Sequence, residues 1–284
     1  MQNLLVATDF SQNSDRTLQY ALELAVQNKF NVFLFHDPQL SIPSRTPANL
    51  LEDLKKGYQT EYTEKMKEQF EKVTQETKIS FDIDKLKYIV SLDDAQTFQK
   101  INTAIDANAI DLVFTGTRNL SGIKRFFLGS TALQLMQSAN CPVFAVPQKG
   151  KHVKIEEIVF ASDLTDLNDG VYDVIKFAKF FNAELFILHV SEVNTTNVNL
   201  DAVVENIKKK ANYDKIRLEI INSSSDNAEE KILEYLRKET IIDLLVMFPE
   251  KKGYFDRIFG VGHTGNILSE INIPLLAFHH KIKS

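Results

Sequence analysis

The feature that most constrains the fold is an internal repeat, because short segments return in the same order in both halves of the chain. The pairs are LLVATDFS at 4–11 with IVFASDLT at 158–165, FLFH at 33–36 with FILH at 186–189, IDLV at 110–113 with IDLL at 242–245, and CPVFAV at 141–146 with IPLLAF at 273–278. A conserved order of this kind rarely arises by chance. The sequence therefore predicts two copies of one domain, at residues 1–149 and 153–284, separated by a short Pro/Gly/Lys stretch.

Within each copy, short apolar runs alternate with segments of helical periodicity, which predicts an α/β fold with a mostly parallel sheet and helices on both faces. In the first copy the pattern predicts strands near 3–8, 31–36, 84–90, 111–115 and 143–147, and helices near 14–28, 48–77, 94–107 and 130–139. In the second copy it predicts strands near 156–161, 184–190, 215–221, 243–247 and 274–278. The middle of the second copy is shorter, so the long charged helix of the first should be truncated there.

Composition narrows the possible functions. A net charge of −5 over 284 residues argues against a basic surface for nucleic acid. No stretch has the length and apolar character of a membrane span or a signal peptide. The single cysteine, Cys141, can form no intramolecular disulfide. We therefore expect a cytoplasmic protein that binds neither nucleic acid nor membranes.

The segment IDLVFTGTRNLSGIKRFFLGS at 110–130 has the features of a phosphate-binding loop. It begins as a buried strand, breaks at Gly116, and reaches Gly129 and Ser130 before an amphipathic helix. Glycine allows close backbone approach to an anion, and a helix start offers unpaired N–H groups. Positive charge is available from Arg118, Lys124 and Arg125, and a hydroxyl from Ser130. The alternative is an ordinary strand-to-helix loop that binds nothing.

The spacing of this loop resembles the nucleotide loop of the universal stress protein family, G-x2-G-x9-G-[S/T]. Asn119 replaces the second glycine, and asparagine is the residue that best tolerates left-handed geometry after glycine. The segments ATDFS, LFHD and CPVFAVP occur in the family's order around the loop. Along its whole length the chain thus resembles a tandem universal stress protein.

The resemblance implies two Rossmann-like domains of the adenine nucleotide alpha hydrolase-like type, each an open five-stranded sheet. It also implies ATP or AMP binding in some members, with or without Mg, and stress-related regulation without a settled reaction. Carried over residue by residue, the site comprises Ala7, Thr8 and Asp9 at the nucleoside, Asp37 at the adenine, and Thr115, Gly116, Arg118, Asn119, Gly129, Ser130 and Thr131 at the ribose and phosphates. Ligands of open α/β sheets sit at this edge, beyond the carboxyl ends of the strands.

Several of these residues also have a structural interpretation. Asp9 could cap the helix that begins near Ser11, or it could contact ribose or a metal. His36 and His189 end apolar strands, which favours hydrogen-bonded structural histidines. We predict no catalytic residue and no metal site.

The second copy departs from the loop pattern, because Phe248-Pro249-Glu250 replaces the segment that begins at Gly116. Proline removes an N–H donor, phenylalanine adds bulk, and glutamate opposes phosphate charge. The second copy is therefore predicted to be empty at this loop. Gly260 to Thr264 could still form an anion nest at a helix start, or a loop kept for packing.

Three functions remain open at this point. The leading one is a nucleotide-responsive regulator with an unknown protein partner, in which the second copy acts as a pseudo-dimer partner. The others are a slow nucleotide hydrolase, for which Asp9 and His36 are candidates only by proximity, and a nucleotide-free interaction scaffold. No clear general base is visible in the sequence.

The closing strands of the two copies are predicted to pair with each other edge to edge. Val143–Pro147 and Pro274–Phe278 are short and apolar, and each should end its sheet with unpaired N–H and C=O groups. Pairing would satisfy those groups and create an internal pseudo-two-fold axis. An experimental structure in which the two strands lie far apart, or pair only with other chains, would contradict the pseudo-dimer.

Overall fold

The computed structural model describes residues 1–40, 46–119, 126–127, 129–149, 154–162, 170–191, 200–222, 231, 234–237, 242–249 and 273–278. The chain divides into two compact units. The first lies within residues 1–148, and most of the second lies within 149–284. The domain limits at 1–149 and 153–284 stay a prediction.

The first unit is built on an open sheet of five parallel strands, as predicted. In chain order these strands are β1 (Asn3–Thr8), β2 (Asn31–His36), β3 (Leu86–Val90), β4 (Leu112–Gly116) and β7 (Val143–Val146). Their order across the sheet is β3-β2-β1-β4-β7, so the direction of winding reverses between β1 and β4. A separate two-stranded pair joins β5 (Arg118–Asn119) and β6 (Phe126–Phe127).

The helices of the first unit also lie close to their predicted positions. They are α1 (Gln12–Asn28), α2 (Ala48–Thr77), α3 (Thr97–Asn108) and α4 (Ser130–Ser138), and a short 3-10 helix (Ile83–Lys85) precedes β3. Ser11 caps α1 by accepting a hydrogen bond from Ser14 N. Lys29, in left-handed geometry with φ of 59°, ends α1. The predicted helices and strands of this unit are confirmed to within a few residues.

The core of the first unit is the sheet itself with one face of each helix. Leu4, Leu5 and Val6 of β1 are all fully buried, so β1 is covered on both faces, as a parallel sheet with helices on both sides requires. From α1, Leu18 and Leu22 pack onto the sheet. Helix α2 contributes buried residues only from its C-terminal half, namely Met66, Gln69, Phe70 and Val73.

The second unit has the same strand order. Its strands are β8 (Glu157–Ala161), β9 (Glu184–Ser191), β10 (Ile216–Asn222), β11 (Leu244–Met247) and β12 (Leu275–Ala277), in the order β10-β9-β8-β11-β12. Its described helices include α5 (Gly170–Phe181) and α6 (Leu200–Ala211). Helix α6 has 12 residues where α2 has 30, which agrees with the predicted truncation.

The repeated sequence is matched by repeated contacts inside each unit. In the first, Asp111 Oδ2 accepts hydrogen bonds from the backbone N–H groups of Gln2 at 2.6 Å and Asn3 at 3.1 Å. In the second, Asp243 Oδ2 accepts from Glu156 N at 2.8 Å and Glu157 N at 2.9 Å. Both aspartates come from the IDL segments, and both satisfy N–H groups at the start of the first strand of their unit.

Two further expectations concern the molecule as a whole. None of the helices in the described parts of the chain combines the length and apolar composition that crossing a membrane requires. The edge-to-edge pairing of the closing strands β7 and β12 stays a prediction.

Candidate functional site

Six of the predicted site residues lie at or directly after the carboxyl ends of β1, β2 and β4, namely Ala7, Thr8, Asp9, Asp37, Thr115 and Gly116. Thr8 lies opposite His36 in the register of β1 and β2, and Val6 lies opposite Phe114 in the register of β1 and β4. Two residues further along each strand, Thr8 and Gly116 therefore reach the same level of the sheet. This edge, where the winding reverses, is the usual ligand crevice of an open α/β sheet.

Asp9 follows β1 and supports the start of α1. Its Oδ1 accepts hydrogen bonds from Ser11 N at 3.1 Å and Ser11 Oγ at 2.5 Å. Ser11, and not Asp9, is the residue that caps the helix. Of the two interpretations of Asp9, direct capping is therefore wrong, and contact with ribose or a metal stays a hypothesis.

The hydroxyl of Thr8 is already engaged by the protein. Thr8 Oγ1 lies 2.8 Å from Gln69 Oε1 and 3.1 Å from Ser14 Oγ, and it accepts a hydrogen bond from Phe10 N at 3.0 Å. Gln69 also donates to Asp15 Oδ1 at 2.6 Å, which joins α2 to α1. No sequence pattern predicts this role for Gln69, which lies 61 residues from Thr8 in a mostly exposed helix.

His36 is held in one tautomer. Its Nδ1 lies 2.9 Å from the carbonyl oxygen of Thr8, which can only accept, so Nδ1 carries the proton. The rings of Phe10 and Tyr62 lie 4.4 and 4.8 Å from the imidazole. Burial lowers the pKa of His36 below 6.5, against the opposing effect of the Thr8 hydrogen bond. His189 repeats the contact with Ser162 O at 3.0 Å, so both histidines have the predicted structural role.

Asp37, the first residue after β2, forms a buried ion pair. Its Oδ1 lies 2.8 Å from Lys100 Nζ, and the two side chains are only 3% and 5% exposed. Thr97 Oγ1 donates to Oδ2 at 2.6 Å, and Gln39 N donates to Oδ1 at 3.0 Å. Burial alone would raise the pKa of Asp37, but the hydrogen bonds from Lys100, Thr97 and Gln39 hold it below its usual value.

Gly116 is required by the packing of α1. A Cβ atom at this position would lie 2.6 Å from Asn13 Nδ2 and 3.0 Å from Thr17 Oγ1. Asn13 Nδ2 donates to the carbonyl oxygen of Thr117, which fixes the backbone as it leaves β4. Among the described residues, the buried Asn13 Oδ1 has no hydrogen-bond partner. From the sequence, Gly116 was explained by the close approach of an anion to the backbone, and the contact with Asn13 was not predicted.

The loop after Gly116 reaches a helix start, as predicted. Helix α4 begins at Ser130, with Gly129 as the N-cap at φ of −58°, and this glycine has no side chain with which to cap the first turn. Ser130 is exposed and Thr131 is half-buried. Asn119 lies in the strand β5, so tolerance of left-handed geometry does not explain why asparagine stands there. Lys124 and Arg125 lie outside the described residues.

Comparison with known proteins identifies the family. Residues 1–147 match the sequence model of the universal stress protein family. The chain belongs to this family. No curated protein matches the sequence at a significant level.

Solved structures show the fold of a universal stress protein over the whole chain. A universal stress protein from Archaeoglobus fulgidus aligns with a TM-score of 0.65 at 17% identity, covering 99% of this chain and 97% of that one. A functionally unknown protein from Pseudomonas aeruginosa aligns with a TM-score of 0.58 at 15% identity, covering 98% and 92%. At these identities the likeness shows the fold alone.

The second unit of this universal stress protein differs at the position that corresponds to Gly116. Phe248 stands there and is buried, with its ring 5.7 Å from that of Phe160 and 5.9 Å from that of Phe278. Phe278 also meets Phe177 at 6.0 Å. Aromatic rings thus pack at the carboxyl ends of β8, β11 and β12. Glu250 and the segment from Gly260 to Thr264 lie outside the described residues.

Substitution at Gly116 should reveal the Asn13 contact. We expect Gly116→Ala to lower the free energy of unfolding by about 1–3 kcal/mol, because the new methyl group meets the Asn13 amide. Asn13→Ala should lower the free energy of unfolding less in the Gly116→Ala protein than in the wild type, because it removes the clash between the new methyl group and the Asn13 amide. Urea unfolding of the four proteins measures this coupling. Additive effects of the two substitutions would show that Asn13 does not set the need for glycine.

The lowered pKa of His36 makes stability depend on pH in a defined direction. The unfolded chain binds a proton at this group near pH 6.5, whereas the folded protein resists it, so unfolding takes up a proton. The free energy of unfolding should therefore fall as the pH drops below 6.5 and toward the lower folded pKa. His36→Asn keeps a donor near Nδ1 but does not titrate, so it should weaken this decline. Denaturant titrations at several pH values measure it, and parallel profiles would contradict the assignment.

Proposed function

We propose that the first copy binds an adenine nucleotide, ATP or AMP with or without Mg, and that the protein is a cytoplasmic nucleotide-responsive regulator of the stress response. The observation that carries this proposal is the start of α4 at Ser130, where the N-cap residue Gly129 has no side chain to bond the first-turn N–H groups and which follows β4 in the chain. First-turn N–H groups and the positive end of the helix dipole favour a phosphate there. Membership of the universal stress protein family gives independent support.

The contacts in the site follow from the polar groups that the protein leaves available. The Thr8 hydroxyl contacts Gln69, and the Asp37 carboxylate pairs with Lys100. At these two positions the nucleotide would therefore contact backbone N–H and C=O groups. Ala7, Thr8 and Asp9 would contact the nucleoside, and the backbone of Asp37 the adenine. Ribose and phosphates would meet the remaining site residues, which are Thr115, Gly116, Arg118, Asn119, Gly129, Ser130 and Thr131.

The second copy serves in this proposal as the pseudo-dimer partner of the first. Supporting it are the repeated sequence segments, the shared strand order, and the aspartate contacts of Asp111 and Asp243. At the position that corresponds to Gly116, the second unit buries the ring of Phe248. Pairing of the closing strands would join the two copies within one chain.

Regulation is favoured over hydrolysis by the surroundings of the two candidate bases. The Nδ1 of His36 is bonded to a backbone carbonyl, and two aromatic rings cover the imidazole. Asp9 accepts hydrogen bonds from Ser11, the cap of α1. General-base catalysis requires hydrogen-bond reach to the proton that is abstracted, and the hydrogen bonds of His36 and Asp9 named here connect both groups to the fold. Timed product release from bound ATP separates a slow hydrolase from a regulator, and nucleotide retained through purification separates both from an empty scaffold.

Gly129→Val tests the phosphate site. The φ of −58° is accessible to valine, so the backbone should be tolerated while the branched side chain blocks the helix start. We expect the affinity for ATP or AMP, measured by calorimetry, to fall at least about tenfold through lost charge-assisted hydrogen bonds. Gly57→Val is a matched control, because Gly57 lies in α2 with open space around its Cα. If folded Gly129→Val binds the nucleotide with unchanged affinity, the phosphates do not bind at the start of α4.

The occupancy of the two copies is also testable. We expect one nucleotide per chain, because the second copy has Phe248 and Pro249 at the corresponding loop and a glutamate after them. A calorimetric titration of the full chain measures the stoichiometry. Saturation at two equivalent sites would contradict an empty second copy.

A further inference from the structure

The buried ion pair between Asp37 and Lys100 lies where β2 ends, and it joins the segment after β2 to helix α3. Asp37 continues from β2, while Lys100 and Thr97 come from the first turns of α3. Gln39, in left-handed geometry at φ of 49°, closes a turn onto the same carboxylate. Both carboxylate oxygens are therefore bonded, which fixes the position of the Asp37 main chain relative to α3.

Stability alone is a weak reason for such a pair. Removing two charges from water costs several kcal/mol, and well-packed apolar side chains of similar volume often serve the fold equally well. Hydrogen bonds of 2.6, 2.8 and 3.0 Å fix the orientation of the Asp37 carboxylate as well as its position. A pair of apolar side chains would fix the position only.

We propose that Lys100 is a positioning residue for base selectivity, acting through Asp37. This inference rests on the proposed function, in which the main chain at Asp37 contacts the adenine. Adenine presents a donor at N6 where guanine presents an acceptor at O6. A backbone group fixed at this position can therefore form a hydrogen bond with one of the two bases and is repelled by the other. That discrimination depends on a main chain that cannot shift to suit the wrong base.

Lys100→Met tests this role, because methionine keeps most of the buried volume and removes the ammonium group. The affinities of ATP and GTP for the full chain are measured by calorimetry in the wild type and in the variant. We expect the wild type to prefer ATP, and the ratio of ATP to GTP affinity to fall about tenfold in Lys100→Met, the equivalent of one well-placed hydrogen bond. The affinity for GTP should change little, since the phosphate contacts at the start of α4 remain.

Two further variants keep the test decisive. Lys67→Met breaks an exposed ion pair with Glu64 on α2, so it should leave the ratio unchanged. If Lys100→Met leaves Asp37 unpaired and fails to fold, the double variant Asp37→Asn/Lys100→Met removes both charges and should show the same fall in the ratio.

The outcomes separate this inference from the proposed function. A folded Lys100→Met protein that keeps the wild-type ratio overturns the inference and leaves nucleotide binding in place. Equal losses for ATP and GTP also overturn it, because they indicate a general effect on the fold or the phosphates. A wild type that binds both nucleotides without preference overturns it as well. A wild type that binds neither nucleotide overturns the proposed function and this inference together.

Discussion

The close approach of α1 to β4 is the contact on which the candidate site depends. Only a hydrogen atom at Gly116 leaves room for the Asn13 amide, which in turn holds the carbonyl of Thr117. Residues on α1 and on β4 are thereby fixed to each other where the winding of the sheet reverses. The crevice of an open α/β sheet exists because neighbouring strands send their connections to opposite faces.

Side chains at this edge mostly bond to other parts of the protein. The Thr8 hydroxyl contacts Gln69, the imidazole of His36 contacts the backbone of Thr8, and the Asp37 carboxylate contacts Lys100. Such contacts satisfy buried polar groups that would otherwise destabilise the fold by about 1–3 kcal/mol each. They also fix the position of the surrounding main chain. N–H and C=O groups in fixed positions can discriminate between ligands through hydrogen bonds. The candidate site therefore offers a positioned main chain, whereas most of its polar side chains are already hydrogen-bonded within the protein.

Much of the fold could be predicted from the sequence, because it depends on local pattern. Apolar runs such as Leu4 to Val6 gave the strands, helical periodicity gave α1 to α4, and repetition gave the second sheet. The partners within the candidate site could not be predicted in the same way. Gln69 and Lys100 are ordinary polar residues of helices, and they meet Thr8 and Asp37 across 61 and 63 positions of sequence. Only the packing of α2 and α3 on the sheet brings them there. Asn119 was judged by its tolerance of left-handed geometry, but pairing with β6 placed it in a strand.

The two units differ in how the chain packs at the carboxyl ends of β4 and β11. Their strand order is the same, and the contacts of Asp111 and Asp243 show that the first strand is held in the same way in both. Gly116 in the first unit corresponds to Phe248 in the second, where a buried ring joins a cluster of aromatic side chains. Burying a phenylalanine contributes about 1.5–3 kcal/mol to folding, whereas a glycine at the same place contributes no apolar side chain. The second unit therefore gains packing stability at this position, whereas the first unit fits the Asn13 amide against a glycine.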